Sequence, residues 1–290
     1  MKAKWLIEDF NRDEHVKLLI EAIKRHDMEH QLIEEPFESG SKCYPNSSKE
    51  CVIFYGSLNL GRQLRREKRW IPGVYCDLEQ FKCTTYYAYW GKFLFNQDYA
   101  FIPVKELGRR KDWIYKQFGK NDRVFIRPNT GFKTFTGAVV KQENFDKDYE
   151  WMVKYSDDTS LAVISTPKNI IRESRFVVAD KKVITGCFYK WDGSKLSNEN
   201  IPEPNKEWKY AQQIADECWE PERMYVIDIC EDKGHYHPLR RYIPENICGK
   251  FHLLEVNSFS CSGLYACDSD VIVKEASRIA IEEWKEINET

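Results

Sequence analysis

The sequence HLLEVNSFSCSGLY, residues 252–265, starts as an apolar strand but contains two polar side chains. Side chains of a β-strand alternate between its faces, so Leu254 and Val256 point one way while Glu255 and Asn257 share the other. Two oxygen-bearing side chains therefore converge on one spot. An edge strand with one solvated face would explain this stretch taken alone, and the rest of the sequence decides whether it is instead a binding site.

The composition is that of a globular protein with no signature of disorder. The chain has 290 residues, of which 42% are hydrophobic and 31% charged, and this length is enough for two packed units or one large three-layer unit. Lys plus Arg (44) nearly balance Asp plus Glu (46), which argues against a basic surface for nucleic acid. The N-terminal sequence lacks the apolar core of a signal peptide and no run could span a bilayer, so we expect a cytoplasmic protein without a membrane partner.

The ten cysteines are scattered without C-x-x-C pairs. This distribution favours reduced, mostly buried thiols over a zinc site.

Strands and helices alternate over about residues 1–85, which predicts an open α/β domain. KAKWLIED, HQLIEE and CVIFYGS are predicted strands, and DEHVKLLIEAIKRHDM is a predicted helix. The basic run GRQLRREKRW, residues 61–70, is typical of a solvated helix face, with anion or nucleic-acid binding as the alternative. The aromatic stretch from Thr84 to Val104 is predicted to be helical up to Asn96.

From about residue 120 onward, strands dominate and a helix closes the chain, which predicts a largely antiparallel α+β unit. The predicted strands include RVFIRP, GAVV, LAVIST, SRFVVAD, KVITGCFYKW, MYVIDICE and FHLLEVNS. ADKKV between two of them is predicted to be a tight hairpin. His235 and His237, two apart in a segment with a proline, are interpreted as loop residues.

Three further groups could carry chemistry. Glycines in residues 124–140 let backbone N–H groups approach a phosphate, and Arg127 and Lys133 supply countercharge, although a flexible hairpin also explains the pattern. Glu173, Arg175 and Lys190 fall on two paired strands, where surface ion pairs are the alternative. Asp228 lies within an apolar strand and needs a metal ion or an arginine as a partner.

Asp228, Glu255 and Asn257 together form an all-oxygen set suited to Mg²⁺. The order of the motifs resembles the ATP-grasp superfamily over about residues 85–290: a basic strand with a glycine loop, a hinge, E-x-R, a hairpin ending in a basic residue, an aspartate in a strand, and E-x-N. The resemblance is nearest to the clade, frequent in phages and bacteria, in which a late arginine is replaced by lysine, here Lys190.

The resemblance implies an α+β fold of two subdomains that clasp ATP (residues 86–290, with a lid at about 120–165), preceded by the α/β domain of residues 1–85. It implies roles residue by residue. The nucleotide contacts would be Lys92, Arg127, Lys133, the adenine hinge residues Ser165, Thr166 and Lys168, and Glu173 near the ribose or metals. Arg175 and Lys190 would face the phosphoryl group, and Asp228, Glu255 and Asn257 would bind Mg²⁺. Arg127 departs from the usual lysine, and residues 231–250 lengthen the link between the metal-binding strands.

The implied activity is an ATP-dependent carboxylate–amine ligase that uses two Mg²⁺ ions and an acyl-phosphate intermediate. Its substrates would be a carboxylate and an amine acceptor, such as an amino acid, a peptide or a protein. One alternative is a nucleic-acid-binding or adaptor protein that uses residues 61–70 without turnover. Another is an ATP-using enzyme that transfers phosphate or joins an amino acid to a nucleotide or macromolecule.

Overall fold

The computed structural model describes residues 2–8, 14–33, 50–132, 134–191, 193–203, 205–232 and 249–289. Lys133, His235 and His237 lie outside these residues, as does most of the predicted insertion at 231–250. The chain divides into two compact units. The first consists of Met1–Asp77, Arg172–Ile229 and Glu255–Thr290, and the second of Leu78–Ile171 and Cys230–Leu254. The boundaries predicted at residue 85 and around a lid stay predictions.

A parallel four-stranded sheet forms the N-terminal part of the first unit. Its elements are β1 (Lys4–Glu8), α1 (Glu14–Arg25), β2 (Glu29–Ile33), β3 (Cys51–Tyr55), α2 (Leu58–Glu67) and β4 (Ile71–Gly73). The strand order is β2-β1-β3-β4. The continuous apolar runs of β1 and β3 reflect burial on both faces, which is usual in parallel sheets. This arrangement confirms the predicted open α/β layer.

The second unit contains a four-stranded antiparallel sheet with helices packed against it. Its elements are α3 (Cys83–Trp90), β5 (Tyr99–Pro103), α4 (Lys111–Phe118), β6 (Arg123–Pro128), β7 (Ala138–Lys141), α5 (Phe145–Lys154) and β8 (Leu161–Ser165). The strand order is β5-β8-β6-β7. The core of this unit includes Ile126, Phe145 and Ile164.

The prediction of a helix up to Asn96 was wrong in its extent. Helix α3 ends at Trp90, a 3-10 turn follows at Gly91–Phe93, and Tyr99–Pro103 is the edge strand β5. An aromatic run without a clear period does not distinguish helix from strand by itself. Pairing with β8, which sets Tyr99 opposite Ser165, decides the outcome.

A five-stranded sheet completes the described fold. Its elements are β9 (Ile170–Ala179), β10 (Lys182–Trp191), β11 (Ser194–Asn200), α6 (Lys206–Glu217), β12 (Met224–Asp232), β13 (Phe251–Ser258) and α7 (Ser269–Asn288). The strand order is β11-β10-β9-β12-β13. Asp180 and Lys181 join β9 to β10 with φ of 47° and 63°, as a type I′ hairpin turn requires, so the predicted hairpin is confirmed. Strands β4, β5 and β11 and helices α4, α5 and α6 were not predicted.

Helix α7 holds the first unit together. It packs against α1, β3, β4 and β10, and its N-cap residue Asp268 accepts hydrogen bonds from the N–H groups of Asp270 and Val271. The core beneath it includes Trp5, Ile53 and Val226. The strands that carry Arg175, Lys190 and Asp228 are therefore anchored on a well-packed apolar layer.

Candidate active site

A buried arginine–carboxylate pair lies at the centre of the five-stranded sheet. Arg175 on β9 donates from Nε to Asp228 Oδ1 (2.8 Å) and from Nη2 to Asp228 Oδ2 (2.7 Å). Asn257 on β13 donates from Nδ2 to the same Oδ2 (3.2 Å). The side chains of Arg175 and Asp228 are only 7% and 2% exposed, so each charge depends on the other. The aspartate predicted to need a cationic partner has one.

A second ion pair continues the row on β9 and β10. Lys190 Nζ lies 2.7 Å from Glu173 Oε1, and Tyr189 donates its hydroxyl to Glu173 Oε2 at 2.8 Å. Neighbouring residues of a regular strand point to opposite faces, but the pairing of β10 with β9 shifts register between Phe188 and Lys190. This irregularity allows both Tyr189 and Lys190 to reach the same carboxylate. Glu173 and Arg175, two residues apart on β9, share one face of the sheet.

Two tyrosines enclose the Arg175 guanidinium. The Arg175 Cζ atom lies 4.9 Å from the ring centroid of Tyr265 and 5.5 Å from that of Tyr189. The two rings stack on each other with centroids 4.9 Å apart and an interplanar angle of 6°. Arg175 Nη1 also donates to the carbonyl oxygen of Gly263 at 2.6 Å. Tyr265 adopts φ of +49°, which is uncommon for a bulky residue and is supported here by these ring contacts.

The charges in this cluster perturb one another. Burial alone would lower the pKa of Arg175, but the adjacent Asp228 carboxylate outweighs burial and raises that pKa well above its usual value. Burial raises the pKa of Tyr189 well above its usual value, and Asp228 and Glu173 add to the effect. Both groups therefore keep their protons at neutral pH: Arg175 is a permanent cation and Tyr189 a permanent hydrogen-bond donor.

The three predicted magnesium ligands, Asp228, Glu255 and Asn257, carry oxygen atoms of the kind that Mg²⁺ prefers. Because the Nδ2 of Asn257 points to Asp228, its amide oxygen is left as an acceptor on the same part of the sheet. Glu255, half-buried, lies two residues earlier on the same strand and the same face. In the described part of the chain, no three His, Cys, Asp or Glu side chains form a metal cluster. Two carboxylates and one amide suit Mg²⁺, which commonly takes one or two protein carboxylates and fills its octahedron with water and phosphate oxygens.

The predicted adenine-hinge residues lie at the end of β8 in the second unit. Ser165 is fully buried, and its hydroxyl has no hydrogen-bond partner among the described residues. The other two hinge residues, Thr166 and Lys168, both contact Asp98. Lys168 forms an ion pair with it, and Thr166 donates a hydrogen bond to it. Burial would raise the pKa of Asp98, but these two partners outweigh it and lower that pKa. The unsatisfied Ser165 hydroxyl is a polar group that a bound ligand could engage.

The remaining predicted nucleotide contacts are also in the second unit. Arg127 is a half-buried residue of β6, and adding a Cβ to Gly137 would place it 3.0 Å from the Arg127 Cβ. Gly137 thus lets the following strand pass close to this arginine. Lys92 is exposed, and its ammonium lies 4.8 Å from the ring centroid of Phe93. The nucleotide roles of both residues stay predictions.

Sequence reasoning grouped the charged residues of the first unit but missed the residues that surround them. The structure brings together Glu173 with Lys190, and Arg175 with Asp228 and Asn257. It adds Tyr189, Tyr265 and the Gly263 carbonyl. The only sequence signal for these was the Ser- and Gly-rich continuation after Asn257.

Among the described residues, no helix has both the length and the apolar character needed to cross a membrane.

Solved structures of several enzymes share this fold. The structure matches that of D-cycloserine synthetase DcsG with a TM-score of 0.64 at 9% identity, covering 96% of this chain and 100% of that one. It matches N5-carboxyaminoimidazole synthetase from Staphylococcus aureus complexed with ADP (TM-score 0.58, 10% identity, 95% and 77% covered). It also matches ATP-grasp ligase PsnB complexed with a phosphomimetic variant of minimal precursor, Mg and ADP (0.52, 13% identity, 98% and 98% covered).

The search of curated proteins gave no match. A family model described as "ATP-grasp domain, R2K clade family 2" matches residues 109–274, which is more than half of the chain. The predictions of an α+β ATP-grasp fold and of the lysine-replaced clade are thereby confirmed, and the predicted ATP-dependent ligase class agrees with them. This chain belongs to the ATP-grasp domain family, R2K clade family 2.

Proposed function

We propose that the protein is an ATP- and Mg²⁺-dependent carboxylate–amine ligase. The observation that carries this proposal is the row of charged side chains across β10, β9, β12 and β13. It pairs Lys190 with Glu173 and Arg175 with Asp228, and it ends at Asn257. A row of cations beside oxygen donors suits phosphoryl transfer, in which positioning and charge stabilisation supply most of the catalysis.

Asp228, Glu255 and Asn257 would hold the metal, and we propose two ions because the phosphates of ATP provide further oxygen ligands. Bound ATP would supply the phosphoryl group that converts the substrate carboxylate to an acyl phosphate with release of ADP, and an amine would then displace phosphate. Bound Mg²⁺ would offset the charge on the phosphate oxygens. The protein then needs no covalent nucleophile, because it positions the reactants and offsets their charge.

Lys190 is the proposed cation for the transferred phosphoryl group. Its side chain is 37% exposed, and its described partner is a single carboxylate, Glu173. A lysine ammonium on a flexible stem can exchange that partner for a phosphoryl oxygen at little cost. Arg175 contributes fixed positive charge and orients Asp228, since its N–H groups are bound to Asp228 and to the Gly263 carbonyl.

The second unit would contribute the remaining nucleotide contacts. Ser165, Thr166 and Lys168 would meet the adenine, while Lys92, Arg127 and Lys133 would meet the phosphates. The fully buried and unsatisfied hydroxyl of Ser165 supports the first assignment. The proposed substrates are an amino acid or peptide carboxylate and an amine-bearing acceptor.

The test is calorimetric binding of a non-hydrolysable ATP analogue, with and without Mg²⁺. We expect Mg²⁺-dependent binding by the wild type and weakened binding by Glu255→Ala. Glu203→Ala, which removes an exposed glutamate of the same unit, is the matched control and should bind like the wild type. ADP release with candidate amino acids and peptides should be abolished by Asp228→Ala.

Turnover retained by Asp228→Ala would refute the metal assignment. Absence of nucleotide binding up to about millimolar analogue would refute the ligase proposal and favour the adaptor alternative. Part of the basic face of residues 61–70, which the adaptor alternative needs for binding, already contacts other residues of this protein. Arg65 of α2 donates to the Val74 carbonyl oxygen and forms ion pairs with Glu222 and Asp77.

A further inference from the structure

A seven-residue segment, CSGLYAC at residues 261–267, follows strand β13 and has a cysteine at each end. Each of these cysteines contacts a cysteine that lies elsewhere in the chain. Cys261 hydrogen-bonds Cys76, and Cys267 hydrogen-bonds Cys187 of β10. We call residues 261–267 the strap. Two thiol pairs at the ends of one short segment form an arrangement that the proposed ligase chemistry does not use.

The pair at the C-terminal end of the strap has the closer defined geometry. The Sγ atoms of Cys187 and Cys267 are 3.4 Å apart, and both residues are buried. A disulfide bond is about 2.05 Å long, so the two sulfur atoms need to approach by only about 1.4 Å. Cys187 lies opposite Arg175 in the β9–β10 pairing, and Cys267 Sγ lies 3.8 Å from the Arg175 carbonyl oxygen.

The pair at the N-terminal end of the strap contains Cys261, which is a partly exposed residue, whereas Cys76, Cys187 and Cys267 are buried residues. Gly61 of α2 makes room for it, since a Cβ at that position would lie 2.6 Å from Cys261 Sγ. The Cys261 thiol also contacts the Ser57 carbonyl oxygen at 3.5 Å.

The middle of the strap holds Arg175. The carbonyl oxygen of Gly263 accepts from Arg175 Nη1 at 2.6 Å, and the Tyr265 ring lies over the guanidinium. Any constraint on the two ends of the strap therefore constrains the groups that keep Arg175 on Asp228.

In each thiol pair, moreover, one member is the more acidic. The hydrogen bond from its partner lowers the pKa of Cys76 and of Cys187.

We propose that the strap is a redox-sensitive element that two disulfides, Cys76–Cys261 and Cys187–Cys267, close under peroxide. In each pair, one thiolate attacks a peroxide oxygen and becomes a sulfenic acid, and the second thiol displaces water from that sulfur. For each pair, one S–S bond forms while two S–H bonds and one O–O bond break. Two electrons pass from the two sulfur atoms to the peroxide, and hydrogen peroxide as the oxidant is converted to two water molecules.

Closure requires the Sγ atoms of Cys187 and Cys267 to approach each other, which shifts the strap and with it the Gly263 and Tyr265 contacts that position Arg175 and, through Arg175, Asp228. Its regulatory consequence rests on the proposed function, because Asp228 must accept a metal ion there. We therefore expect the oxidised protein to bind the ATP analogue with Mg²⁺ at least about fivefold more weakly than the reduced protein, a coupling within the usual range for linked sites. A thiol reductant should restore the binding.

The decisive experiment does not depend on nucleotide. Wild-type protein is treated with hydrogen peroxide, blocked with an alkylating agent, digested without reduction and mapped by mass spectrometry. We expect the peptide pairs 76–261 and 187–267, and a melting temperature at least about 5 °C above that of the reduced protein, because disulfides that close long loops stabilise. Cys261→Ala with Cys267→Ala should abolish this shift. Cys51→Ala, which removes a buried cysteine that the described contacts do not join to another thiol, should keep it.

Cross-links to Cys43 or Cys248 instead, or thiols that stay free, would overturn the proposal. The wild-type map and melting shift decide it even if the double variant does not fold. If the reduced protein binds no nucleotide, the proposed function fails while the map still tests the strap. If the reduced protein binds nucleotide but the two cross-links do not form, the strap proposal fails and the ligase proposal stands.

Discussion

Replacing Asp228 with asparagine should destabilise the protein far more than the same change at a comparable but more exposed aspartate. Asparagine preserves the shape of the side chain but removes the charge that balances Arg175. It also presents an amide N–H₂ to Arg175 or to Asn257, where the present carboxylate accepts from both. Removing one partner of a buried ion pair costs about 3–5 kcal/mol, because the other charge stays buried and unbalanced.

That free energy corresponds to a measurable change in melting temperature. A chain of this size loses about 2 °C per kcal/mol, so Asp228→Asn should melt roughly 6–10 °C below the wild type. Urea titration followed by circular dichroism should show the same loss in the free energy of unfolding. The assay is run without nucleotide and metal so that ligand binding does not contribute.

Asp180→Asn is the matched control. Asp180 also accepts two hydrogen bonds from one arginine, from Arg223 Nε (2.6 Å) and Nη2 (2.9 Å), but its side chain is 32% exposed. Asparagine tolerates the φ of 47° at this turn, so the backbone should not change. An ion pair with this exposure contributes on the order of 0–1 kcal/mol.

A double variant separates lost charge balance from lost packing. Arg175→Met combined with Asp228→Leu removes both charges and should recover most of the stability lost by Asp228→Asn. If Asp228→Asn costs no more than Asp180→Asn, or if the double variant is less stable than Asp228→Asn, the reasoning from buried charge is wrong.

Three further predictions follow from other parts of the structure. Lys190→Met should lower ADP formation by about 100-fold or more. It should change the melting temperature by less than about 2 °C, because the Lys190 side chain is 37% exposed. Trp191→Ala, at the exposed neighbouring residue, is the control, and an equal loss of activity there would contradict a specific role for Lys190. Burial would raise the pKa of Asp180, but hydrogen bonds from Arg223 and Arg278 lower it below its usual 3.8. The folded state then binds a proton at Asp180 less tightly than the unfolded state does. The stability advantage of the wild type over Asp180→Asn should therefore be constant from pH 7 to about 5 and should shrink as the pH falls below about 4. Urea titrations in which this difference in unfolding free energy does not shrink would refute the prediction. Gly186→Ala should destabilise the folded protein by about 1–3 kcal/mol, because the new Cβ would lie 2.3 Å from Phe176 Cδ1. The control Gly91→Ala, whose new Cβ would have no atom within 4 Å, should be neutral or slightly stabilising when both variants are compared by thermal melting.

The sequence by itself determined the character of most strands and the chemistry available to them. Short apolar runs indicated β1 and β12, alternation of apolar and polar residues indicated β13, and a period of about 3.6 residues indicated the helices α1 and α7. The E-x-N of β13 and the aspartate of β12 indicated an oxygen-rich site, because a carboxylate inside an apolar strand needs a partner. The sequence left open whether that partner was a metal ion or an arginine.

Only the tertiary structure decided which groups meet. Strand pairing placed Arg175 against Asp228 and Lys190 against Glu173, and a register shift brought Tyr189 to the same carboxylate. The helix predicted up to Asn96 ended at Trp90, and strand β5, which was not predicted, formed at Tyr99–Pro103 through its pairing with β8. Tyr265 and the two thiol pairs of the strap are separated from their partners by tens of residues or more, so no local pattern marks them. Local periodicity follows from burial of one face, whereas a contact between distant residues depends on strand order and register, which the whole core fixes.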